Sequence, residues 1–173
     1  MFFRVYVILC LVDALILIGT VLVSLFAPPA TDQEFISRHM VPALSGIIVA
    51  TFLHSMVVFY FIGVTKPMRE VIAQLGGNRE TFISEAVTIR SIATFWATSG
   101  LIIIIIVAGL GGAAQNAYIS LSIHGWLASL GGLATIWAHF REMVAVASNI
   151  ELIGKINKQY VAEARMMEGE VLG

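Results

Sequence analysis

The sequence predicts an all-α integral membrane protein, a four-transmembrane-helix bundle in which helices 2, 3 and 4 extend into the cytoplasm. Three observations predict it. Hydrophobic residues make up 58% of the chain and charged ones only 12%, against about 45–50% and 25% in soluble domains. Apolar runs recur at lengths near the ~20 residues a bilayer crossing needs. Nine of the ten Lys and Arg residues (Arg4, Lys66, Arg69, Arg79, Arg90, Arg141, Lys155, Lys158 and Arg165) fall at positions that a four-span path puts on one side.

The first span covers about residues 5–27, with Asp13 as its sole charge, and the Pro28–Pro29 pair stops it because proline cannot continue a helix. It is longer than the ~7–15-residue apolar core of a signal peptide, so it reads as a span. After a short polar link, the second span runs over about 40–64. Residues 91–140 contain no charge, which is too long for one crossing, and GLGGAAQNAY at 109–118 supplies the break. It divides the stretch into spans at about 91–111 and 117–140.

Residues 65–90 read as a cytoplasmic helical hairpin. Met68, Val71, Ile72 and Leu75 have helical spacing, Gly76-Gly77-Asn78 marks a turn, and Phe82, Ile83, Ala86 and Val87 resume the pattern. Residues 141–167 continue the fourth helix as a stalk, with Met143, Val146, Ile150, Ile153, Tyr160, Ala164 and Met167 recurring at helical steps. Ile150, Ile153 and Tyr160 are the candidate partner-binding ridge, and the final EGEVLG reads as frayed. The positive-inside rule puts both termini in the cytoplasm and the protein in a cytoplasmic (inner) membrane. The chain reads as a single domain over 1–173.

Polar residues at membrane depth are the functional candidates, because an ionised side chain there costs at least ~2.5–3.5 kcal/mol. Counting helix rise from the flanking charges places Asp13 roughly 14 Å deep and His54 roughly 18 Å deep. An Asp13–His54 hydrogen bond is therefore available. It serves either as a helix-packing pair or as an oriented histidine, a ligand or one station of a proton path. His124, roughly 25 Å deep, is the second membrane histidine, and His54 with His124 is the candidate ligand pair for a haem b. His139, next to Arg141, reads as interfacial, and His39 as exposed on the outer link. Cys10 is the single cysteine, which excludes a disulfide within the chain and a thiolate cluster. No phosphate loop, HExxH helix or serine-nucleophile motif is present, so no catalytic residue and no metal motif is assigned. The basic residues alternate with acidic ones, which argues against nucleic acid as a partner.

Three functional readings follow. The first is a non-catalytic subunit or assembly partner of a larger membrane complex, contacting protein partners or its own copies through span faces and stalk. The second is a haem b or quinone-linked electron-transfer subunit using His54 and His124. The third is a proton- or ion-conducting oligomer centred on Asp13 and His54.

Overall fold

The computed structural model describes residues 1–26, 36–116 and 118–171, and among these it is all-helical. Helix α1 is Phe2–Phe26, α2 is Val41–Ala73, α3 is Arg79–Gln115 and α4 is Leu121–Val171; a π-helical turn, Ile36–Met40, leads into α2. The Pro28–Pro29 stop and most of the outer link lie outside the described residues. Three stretches, Phe2–Val23, Arg38–Ala73 and Arg79–Gln115, are long and apolar enough to cross a membrane. The fourth helix is not among them, since His124, His139, glycines and hydroxyls dilute the aliphatic content of its first half.

The helices run up-down-up-down. Phe2 stacks on Tyr60 at 4.7 Å, and Leu17 packs on Gly46, so α1 and α2 are antiparallel. Along the α3–α4 pair, His124 meets Gly111, Arg141 lies over the Trp96 ring at 5.6 Å, and Lys155 reaches Glu85 at 3.7 Å. The residue numbers of each pair sum to nearly the same value, which is the signature of one antiparallel seam running from end to end. At 51 residues, α4 is about 76 Å long, and its second half packs beside the end of α2 and the start of α3.

The buried positions of α4 explain the seam. Gly131, Thr135, Ala138, Glu142, Ala145, Asn149, Leu152 and Ile156 are all buried and follow alternating steps of four and three, the spacing that keeps one stripe facing a neighbouring helix. Half of these residues, Gly131, Thr135, Ala138 and Ala145, are small, which lets backbones approach closely. A Cβ on Gly131 would fall 2.4 Å from Val107 Cγ2, whereas one on Gly132 would meet open space.

The candidate partner-binding residues lie off this stripe. Ile150 and Tyr160 are exposed, at 45% and 39%, and Ile153 is partly buried against the core. The buried face is offset from them by about one residue and mixes small and polar side chains with Leu152 and Ile156. The turn between α2 and α3 falls where the glycines predict it, with Asn78 in the left-handed region at φ 57°. Glu163 accepts from the Gly76 amide at 2.9 Å, and Gln159 donates to the Gly77 carbonyl. The Gln159 side chain, and then the Gly76 amide, hold the Glu163 carboxyl below its usual range.

Gly131→Val should destabilise the bundle by about 1–3 kcal/mol, the usual cost of overpacking, while Gly132→Ala should leave it unchanged. Denaturant unfolding in detergent micelles measures both.

Candidate functional site

The bundle centre holds a polar network built by three helices. On α1, Tyr6, Cys10, Asp13 and Thr20 are buried at helical spacing, forming one inward stripe. Helix α2 contributes His54, and α4 contributes His139 and Glu142, which share a face because they stand three residues apart. Tyr6, Asp13, His54 and Glu142 are 0% exposed and His139 is 2% exposed.

Glu142 is the junction. Tyr6 Oη donates to Glu142 Oε2 at 2.5 Å, and His54 Nδ1 lies 2.6 Å from Glu142 Oε1. His139 Nε2 lies 3.0 Å from Asp13 Oδ2, while its Nδ1 faces Glu142 Oε2 at 3.7 Å, beyond hydrogen-bond range. The His54 and His139 rings are stacked at 4.6 Å with 29° between their planes. Helix α3 supplies space in place of a polar group. A Cβ on Gly100 would come within 2.3 Å of both Cε1 and Nε2 of His54, so the imidazole occupies the slot that glycine leaves. Toward the end shared by the start of α1 and the end of α2, Asn149 Nδ2 donates to Tyr60 Oη at 3.0 Å.

Placed against the sequence reading, Asp13 and His54 are both at the centre, but they do not pair with each other. Asp13 engages His139, and His54 engages Glu142. Depth along a helix fixes height but not the neighbour a side chain faces, and the α1 stripe presents Asp13 to α4. His139, expected at the interface, is one of the most buried polar residues. Arg141, two residues on, is half-buried and lies over the Trp96 ring.

His124 is not brought to His54. It packs near Gly111 and His39, with ring centroids 6.3 Å apart, while His54 packs on Gly100. Eleven residues of the same helix separate those two glycines, roughly 16 Å along its axis. Glu142 was missed because the first charge after the apolar run was read as the boundary. The signal that could have found it is the His139-Phe140-Arg141-Glu142 spacing, which puts imidazole and carboxylate on one face.

A second feature is a cleft of about 750 Å³ between α2 and α3, whose lining includes Arg69, Arg90, Thr94, Thr98, Ser99 and Asn149. Hydroxyls elsewhere in the helices bond back to the carbonyl four residues earlier, as in Ser45, Thr51, Ser55 and Ser129.

His54, His139 and Glu142 each offer one ligand atom, and these atoms lie within 4.8 Å of one another. Compared with known protein families, curated proteins and solved structures, the chain matches none. The chemistry of the centre therefore has to be argued from its geometry.

Tyr6→Phe removes a donor to a buried carboxylate and should cost about 1.5–3 kcal/mol, the range for hydrogen bonds to charged groups. Unfolding of the purified variant against wild type measures it, and the loss should shrink to about 0.5–1.5 kcal/mol when Glu142 is also changed to Gln, whose neutral amide oxygen still accepts.

Proposed function

We propose that this chain is a polytopic subunit of a cytoplasmic membrane, crossing it four times with both termini in the cytoplasm. In this reading it carries a sealed polar centre inside a larger membrane complex that docks on the stalk. The observation that carries the proposal is the burial of Tyr6, Asp13, His54, His139 and Glu142 at the core of a bundle whose outside is apolar. Ionisable groups kept inside such a bundle mark its working part, since leaving them there is costly. Because none of these groups faces bulk water, the centre suits a component that holds or passes charge better than an enzyme turning over a soluble substrate.

The up-down-up-down path supports the fourth crossing. The start of α1, the end of α2, the start of α3 and the end of α4 share one end, and eight of the ten Lys and Arg residues lie toward it, while Arg141 stands at the height of the polar centre. The apolar residues exposed on the stalk, Ile150, Tyr160, Val161, Met166 and Met167, lie beyond the membrane on this reading and offer a face for a helical partner.

Two measurements test the proposal. A C-terminal fluorescent-protein fusion should fluoresce, and an alkaline phosphatase inserted in the turn between α3 and α4 should be active; the reverse pattern contradicts the orientation. Ile150→Asp should remove chains that co-purify with wild type while the variant stays in the membrane fraction, and unchanged co-purification contradicts docking on the stalk. Ile150 is the better probe than Ile153, whose partial burial would mix docking with stalk packing.

A further inference from the structure

We propose that His54, His139 and Glu142 bind one divalent first-row transition-metal ion, zinc or iron(II), with Asp13 and Tyr6 orienting two of the ligands. The strongest indication is His139. Its Nε2 is engaged by Asp13, and its Nδ1 is buried without a hydrogen-bond partner, pointing toward Glu142 Oε2 at 3.7 Å. With the proton on Nε2, Nδ1 presents a lone pair toward a carboxylate oxygen, and a cation between the two atoms would engage both. The separation is too long for one hydrogen bond. It matches two ligands of one ion, because metal–ligand bonds of about 2.0–2.2 Å put tetrahedral ligand atoms roughly 3.3–3.6 Å apart.

The surrounding residues complete the pattern. A carboxylate on the far nitrogen of a ligating histidine fixes its tautomer and ring orientation, and Asp13 holds that position. Tyr6 does the corresponding work for Glu142 by donating to Oε2. His54 Nδ1 supplies the third ligand; on binding, Glu142 Oε1 moves away from its 2.6 Å contact by roughly 0.7 Å to reach ligand spacing. Two imidazoles and one carboxylate without a thiolate favour zinc or iron(II) over copper(I).

The inference rests on the reading of this network as the working part of a membrane bundle. The two fail separately, since the reporter fusions read topology whatever the metal content. The test loads the full-length protein in detergent with zinc or with cobalt(II) as a spectroscopic substitute, removes loose ions on a chelating resin, and measures retained metal by mass spectrometry. The expected result is one ion per chain and visible cobalt(II) d–d bands from a site with nitrogen and oxygen ligands. Glu142→Gln and His54→Asn should abolish both, and Asp13→Asn should weaken retention by roughly 10–100-fold, the usual effect of losing an orienting partner. If the ligand variants do not elute as folded protein, the Asp13→Asn titration and the wild-type cobalt spectrum decide. Folded wild type that retains no metal, or metal retained equally by Glu142→Gln, overturns the proposal.

Discussion

The structure depends on one carboxylate. Glu142 receives the Tyr6 hydroxyl from α1 and the His54 ring from α2, and it faces His139, which in turn engages Asp13 on α1. Three helices are thereby fixed at a common height. Removing one partner from a buried charged network costs about 3–5 kcal/mol because it strands the other. A register shift of α4 by a single turn would separate all these contacts at once. Lipid gives no hydrophobic reason for one helix to prefer another, so a network of this kind is well suited to select the pairing.

The close packing around the network serves the same end. Helix α3 brings no member of it, yet Gly100 leaves room for the His54 ring, and Ala93 and Ala97 on the same face are fully buried. Small residues along α3 and α4 let the two helices run together into the stalk, where Lys155 meets Glu85 and Glu163 closes on the turn at Gly76. The polar centre and the stalk are therefore parts of one continuous seam, so a partner bound to the stalk would hold the same two helices that enclose His54, His139 and Glu142.

The helical architecture was legible because long apolar runs and the Gly76-Gly77-Asn78 turn are local signals. The centre was legible only in part. Asp13 and His54 stand out as polar residues at membrane depth, but their partners were hidden by two physical effects. Arg141 marks an apparent membrane edge while its guanidinium rests on Trp96, which screened His139 and Glu142 from being read as buried. Along α4, large apolar side chains such as Val144 and Ile150 face outward while Glu142, Ala145 and Asn149 face inward. A search for a hydrophobic stripe thus misses the small and polar residues that make these helix contacts.

The most direct measurement is a double-mutant cycle between Asp13 and His139, using Asp13→Leu and His139→Leu with unfolding free energies in detergent. The account predicts a coupling of about 0.5–3 kcal/mol, as for residues in one hydrogen-bonded network, and near-additivity for Asp13 with an outer residue such as His124. Additive effects for Asp13 and His139, or stronger coupling of Asp13 to His54 than to His139, would contradict it.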